Sequence, residues 1–205
     1  MDTSSTDDPP RKVPEEHPRF CRRRFTLPAI PICATDIGPG KNPTVSTDAD
    51  EVLARVDDRV GRLTLNRPKA LNSLTHTMVT AMDATLAAWA DDDDVRTVVL
   101  SGAGERGLCA GGDVVAIYHS AKAGGADARR FWFDEYRLNS RIGHYPKPYV
   151  ALMDGIVMGG GVGVSAHGGI RVVTDTSKIA MPEVGIGFIP DVGGTFLLSR
   201  APGLL

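Results

Sequence analysis

Three short segments hold residues whose types and spacing suit chemistry on a carbonyl. They are Met158-Gly159-Gly160-Gly161-Val162-Gly163, Met181-Pro182-Glu183 and Ile189-Pro190-Asp191-Val192-Gly193-Gly194. A run of glycines lets backbone N–H groups approach a ligand with no Cβ in the way. A second glycine segment, Ala110-Gly111-Gly112-Asp113, shares its setting: each follows an expected strand and precedes an expected helix. The first N–H groups of a helix have no partner and lie at the positive end of its dipole, so both segments suit an anion. Two such N–H groups converging on one oxygen form an oxyanion hole, and losing one donor costs on the order of 3 kcal/mol of transition-state stabilisation.

Ordinary turn glycines leave the same pattern, so the carboxylates add the weight. Glu183 and Asp191 each follow a proline and lie among apolar neighbours. Burial of a carboxylate favours its neutral form, and two carboxylates sharing a pocket can take unequal roles. Glu135, among Phe131, Trp132 and Tyr136, is a third candidate, although pattern alone leaves a helical glutamate in solvent. Competing motifs fail on spacing. No dinucleotide or P-loop fingerprint is present. Gly163-Val164-Ser165-Ala166-His167 approximates a nucleophile elbow, but His167 replaces its last glycine; Ser165 is expected inside a helix and His167 at its polar end.

The elements that must position these groups begin near Glu51. Val52–Val56 and Val60–Leu65, joined through Asp57-Asp58-Arg59, read as a hairpin, which Asn66-Arg67-Pro68 ends. Ser73 or Thr75 can cap a helix with the apolar stripe Met78, Met82, Leu86 and Trp89, and the run Asp91 to Asp94 closes it as a solvated loop. Strands are expected at 96–102, 148–153, 170–174 and 178–181, and helices at 126–142 and 162–167. Residues 196–205 read as a helix and turn. Strands separated by crossover helices imply a parallel α/β arrangement.

Composition narrows the class. The chain has 205 residues, 42% hydrophobic, with a formal net charge of -2, which gives no reason to expect nucleic acid. No apolar stretch reaches the roughly 18 residues of a membrane span. Cys21, Cys33 and Cys109 form no CxxC pair, so neither a disulfide framework nor a zinc site is indicated, and reduced thiols in a cytoplasmic protein are expected. Heavy use of Ala, Gly, Asp, Arg and Val fits a GC-rich bacterial genome. Residues 1–47, rich in proline and charge with no sustained apolar period, are expected to be a disordered extension, with the folded core spanning 48–205.

Asn66-Arg67-Pro68-Lys69-Ala70-Leu71-Asn72-Ser73, Leu108-Cys109-Ala110-Gly111-Gly112-Asp113, Gly159-Gly160-Gly161 and Met181-Pro182-Glu183 together resemble the enoyl-CoA hydratase/isomerase (crotonase) superfamily. The resemblance implies a spiral of ββα units, with two roughly perpendicular sheets wrapped by helices. It also implies an acyl-CoA substrate whose thioester oxygen lies between the N–H groups of Gly112 and Gly160. Neither a metal nor a separate cofactor is implied, coenzyme A being part of the substrate. Hydratases of this type carry one catalytic glutamate directly after the glycine run and another twenty residues later. The later one matches Glu183; the earlier falls on Gly163. Hydratases commonly have Ile-Pro-Gly where this chain has Ile189-Pro190-Asp191.

That exchange is similar to the 3-hydroxyisobutyryl-CoA hydrolase branch, thioesterases of valine breakdown. There the positions matching Glu135, Gly160, Glu183 and Asp191 contact substrate or take part in catalysis. By this resemblance Glu183 attacks the carbonyl or activates water, Asp191 positions substrate or water and assists proton transfer, and Glu135 meets the substrate's hydroxyl end. Family members commonly have Lys or Arg at the position of Val115, where it helps to hold coenzyme A. The branch continues through C-terminal helices that cover the site and support assembly, so this chain reads as C-terminally truncated, and a homo-oligomer is expected only where those helices are present.

Overall fold

The computed structural model describes residues 51–201. The expected extension 1–47 and its boundary, together with Cys21 and Cys33, lie outside the described residues.

Strands β1 (Val52–Asp57) and β2 (Val60–Leu65) form the expected antiparallel hairpin. Its turn residues Asp58 and Arg59 both have positive φ, the two-residue geometry that matches the twist of paired strands. β2 continues a five-stranded sheet with β3 (Thr97–Gly102), β4 (Tyr149–Met153) and β6 (Ile170–Val173), in the order β1-β2-β3-β4-β6 and parallel beyond the hairpin. A second sheet pairs β5 (Ile156–Met158) in parallel with β7 (Lys178–Ala180). Five helices accompany them among the described residues: α1 (His76–Ala90), α2 (Val114–Lys122), α3 (Ala126–Gly143), α4 (Gly160–Ser165) and α5 (Gly194–Leu198). Two sheets with helices packed on them are what the resemblance implies.

α1 begins where Thr75 Oγ1 accepts the Met78 N–H at 3.1 Å, and its buried face is Met78, Val79, Met82, Leu86 and Trp89. Those side chains meet Leu63 and Leu65 of β2, Val98 and Leu100 of β3, and Leu138 and Ile142 of α3 in one core. Burying each Leu or Met contributes about 1.5–3 kcal/mol, and truncating Leu86 to Ala costs about 2–5 kcal/mol because a cavity remains.

The Asn66–Ser73 segment ties this core to the glycine loops. Arg67 donates from Nη1 to the Ser73 carbonyl at 2.7 Å and from Nη2 to Asp113 Oδ2 at 3.1 Å, while its Nε lies 3.0 Å from Glu51 Oε1. Asn72 accepts the Arg67 N–H at 2.9 Å and donates to the carbonyls of Ala103 and Gly107 at 3.0 and 3.2 Å. Asp113 also caps α2 through the Ala116 N–H.

The structure differs from the sequence expectations at several ends. α2 and the three-residue β5 were not expected. α4 opens at Gly160 rather than Val162, which puts Gly160 in its first turn. α5 opens at Gly194, two residues before the expected Phe196.

Candidate active site

Segment 109–113 runs between two neighbours. The Leu74 N–H donates to the Gly111 carbonyl at 2.8 Å, and the Asp113 N–H to the Leu74 carbonyl at 2.9 Å. On the other side the Met158 N–H donates to the Cys109 carbonyl at 2.9 Å. This double anchoring brings Gly112 against Gly160. A methyl group built on Gly160 would lie 3.3 Å from the Gly112 nitrogen, 3.2 Å from Leu74 Cδ1 and 2.7 Å from Glu135 Oε1, so only glycine fits there. Among the described residues neither the Gly112 nor the Gly160 N–H donates to a backbone carbonyl.

Both N–H groups border a cavity of about 620 Å³ that is also lined by Glu135, Glu183 and Asp191. One wall is apolar: the rings of Trp132 and Phe188 stack at 5.5 Å and 13°. All five residues singled out from the sequence therefore meet at one cavity. A larger cavity of about 1170 Å³, bordered by Asn139, His167, Val192 and Phe196, holds none of the three carboxylates. Donors and carboxylates converge on the smaller one, which makes it the candidate site.

Glu135 projects inward from α3 and is 2% exposed; its Oε1 has no hydrogen-bond partner. Burial, and then the negative charge of Asp191, push its pKa up to about 8, which leaves it largely protonated at neutral pH. The solvated position that pattern alone allows it is not the one it takes. Glu183 opens a 3-10 turn, Glu183–Ile186, is buried, and has its Oε2 unpartnered. A methyl group on Gly159 would lie 2.5 Å from Glu183 Oε1, which puts this carboxylate against the glycine run. Asp191 is half-buried, and burial followed by the charge of Glu183 raises its pKa. A buried polar atom without a partner costs about 1–3 kcal/mol, and such groups with shifted pKa values concentrate at functional sites.

Three neighbours were not foreseen. Val192 is fully buried at φ 44, where a β-branched residue is an outlier, at a cost on the order of 1–3 kcal/mol. His167 Nε2 lies 2.7 Å from the Val192 carbonyl. Asn139 is 4% exposed with neither amide atom partnered. Their relation to the site is spatial and leaves no local pattern; the only signal is a valine preceding a Gly-Gly turn. Ser165 is buried in α4 with its Oγ bonded to the Gly161 carbonyl at 2.6 Å, which leaves it no part in a nucleophile elbow.

A two-sheet spiral with paired free N–H groups opposite carboxylates defines a crotonase-type protein. Residues 60–205 match the enoyl-CoA hydratase/isomerase family, and the chain belongs to it. It is 49% identical over 160 residues to 3-hydroxyisobutyryl-CoA hydrolase, mitochondrial, of Danio rerio, covering 78% of this chain and 42% of that protein. The human protein of the same name is 46% identical over 157 residues, covering 77% and 41%. A crystal structure of a carnitinyl-CoA dehydratase from Mycobacterium thermoresistibile is similar at TM-score 0.74 and 78% identity, covering 75% of this chain and 45% of that one. The chain thus spans less than half the length of these proteins. The curated names place those relatives in mitochondria, so they lend no support to the bacterial cytoplasm expected above. Among the described residues, no helix is long and apolar enough to cross a membrane.

Proposed function

We propose that the protein hydrolyses an acyl-CoA thioester, with 3-hydroxyisobutyryl-CoA as substrate and 3-hydroxyisobutyrate and free coenzyme A as products. The observation that carries the reading is the convergence of two free N–H groups and the carboxylates of Glu183 and Asp191 on one cavity, with no side chain at Gly163. The Gly112 and Gly160 N–H groups hold the thioester oxygen and stabilise the charge it gains when the carbonyl is attacked. Glu183 attacks that carbon or takes the proton of the water that does. The tetrahedral oxyanion then collapses, the C–S bond breaks, and the thiolate of coenzyme A leaves; where Glu183 is the nucleophile, water then opens the resulting anhydride to release the acid and the free Glu183 carboxylate. Asp191, whose pKa is raised by burial and by Glu183, positions water and assists transfer of a proton to the departing sulfur. Glu135, protonated at neutral pH, donates its O–H to the substrate's hydroxyl group and accepts in return.

The names of the curated relatives support this substrate. The dehydratase of M. thermoresistibile and an enoyl-CoA hydratase from Rhodobacter sphaeroides 2.4.1, 51% identical at TM-score 0.72 with 75% of this chain and 46% of that one covered, favour a second reading, hydration of an enoyl-CoA double bond. Assays of the two reactions separate them. Release of free thiol from 3-hydroxyisobutyryl-CoA, without hydration of crotonyl-CoA, is the expected result; hydration alone would overturn the proposal. Binding of acyl-CoA with no turnover, unaffected by Glu183→Gln or Asp191→Asn, would mark a binding-only chain.

A further inference from the structure

Gly163 and Asp191 are linked through one side chain. Val192, next to Asp191, is fully buried, and a methyl group built on Gly163 would lie 2.7 Å from Val192 Cβ and 3.0 Å from its Cγ1. The space beside Gly163 is therefore occupied by Val192. The Val192 carbonyl is held as well: it can only accept, so His167 Nε2 carries the proton across their 2.7 Å contact. Either the neutral Nε2–H tautomer or the imidazolium can make that bond, so the contact does not depend on the charge of His167. The turn is closed by the Gly194 N–H donating to the Asp191 carbonyl at 2.7 Å, with Val192 and Gly193 both at positive φ. A methyl group on Gly193 would lie 2.9 Å from His167 Cε1, so the imidazole packs directly on this turn.

We propose that Gly163 and His167 are positioning residues for Asp191: the first gives Val192 a seat, the second grips its carbonyl, and together they hold the strained turn that turns the Asp191 carboxylate towards Glu135 and Glu183. Gly163 is then more than a missing acid. Any side chain there displaces Val192 and draws Asp191 out of the site, so loss of a carboxylate at one position and gain at the other are a single packing arrangement. The proposal rests on the thioesterase reading for its rate measurements and not for its titration.

The test compares Gly163→Ala, Gly163→Ala/Val192→Gly, His167→Phe and His167→Gln with the unsubstituted protein. The first readout is kcat and KM for 3-hydroxyisobutyryl-CoA. The second, independent of turnover, is the Glu135 titration midpoint by NMR of carbon-13-labelled carboxylates, which responds to the distance of the Asp191 charge. Gly163→Ala is expected to lower kcat about a hundredfold, as a misplacement near 1 Å does, with KM held within about threefold, and to move the Glu135 midpoint down. Removing the Val192 side chain in the double variant should recover most of both. His167→Phe should reproduce the loss, while His167→Gln, which keeps an N–H donor, should retain most of the rate. A folded Gly163→Ala protein with rate and midpoint unchanged overturns the proposal, as does a double variant that recovers neither. Where Gly163→Ala does not fold, the His167 pair decides, since equal behaviour of Phe and Gln also overturns it. In a protein without thioesterase turnover the proposed function fails, and the midpoint alone still decides between a holding and a non-holding Val192.

Discussion

Two regions meet at the Gly111–Asp113 segment and treat polar groups in opposite ways. Around Arg67 every side-chain nitrogen has a partner, in Glu51, Ser73 or Asp113, and the Asn72 amide uses both its oxygen and its nitrogen. Around Glu135 the pattern reverses: Glu135 Oε1, Glu183 Oε2 and both Asn139 amide atoms are buried with no partner. The first region fixes geometry because saturated hydrogen bonds leave the backbone no alternative. The second leaves donors and acceptors unsatisfied, and at the candidate site it raises the pKa values of Glu135 and Asp191. The saturated network holds the unsaturated pocket in place, and the two should fail differently when mutated.

The largest expected effect lies in the pocket. Glu183→Gln keeps the shape and removes the proposed nucleophile or base, and kcat for thioester hydrolysis should fall by about 10³-fold with the melting temperature unchanged or raised. A loss confined to KM would assign Glu183 to binding instead. Glu135→Gln tests the stored cost directly. With its pKa raised from 4.5 to about 8, folded Glu135 binds a proton that the unfolded chain has released. Its stabilising contribution is complete below pH 4.5 and lost as pH rises towards 8. Glutamine does not titrate, so denaturant unfolding should show the variant gaining on the unsubstituted protein across that window, by about 3 kcal/mol at pH 7. A constant difference across pH would disprove it.

Asp191→Asn should reduce kcat by about 10²-fold and lower the Glu135 midpoint, because a neighbouring negative charge has gone. An unmoved midpoint would show that the two groups do not sense each other. The smallest effect belongs to the saturated region. Asn72→Ala leaves the Arg67 N–H and two carbonyls without their partner and should cost about 2 kcal/mol of stability, while kcat at low temperature and the Glu135 midpoint change little.

The same contrast governs what could be read from sequence. The hairpin, α1 with its Thr75 cap and α3 were legible because hydrophobic period and capping chemistry are local. α2 was not, since Val114, Val115 and Tyr118 are exposed and leave no apolar stripe. β5 is too short to show a period. Glu183 and Asp191 were legible as residue types beside prolines, and Gly112 and Gly160 as backbone able to approach closely. Burial of Glu135 was not, because it depends on what α3 faces. Nor was the seat of Val192 on Gly163, a contact between residues 29 positions apart.

Cys109 places a thiol directly behind this site. It is fully buried, and burial pushes its pKa up to about 12. At pH 7 only about one molecule in 10⁵ holds the thiolate that reacts with disulfides or alkylating agents. Under the proposed function the site would release coenzyme A, itself a thiol, with a chemically silent sulfur at its back, and the disulfide of coenzyme A should leave Cys109 unmodified. Labelling of Cys109, tracked residue by residue with mass spectrometry, then becomes a clock for structural opening: its rate reports how often the wall between α4 and the Gly111 loop comes apart.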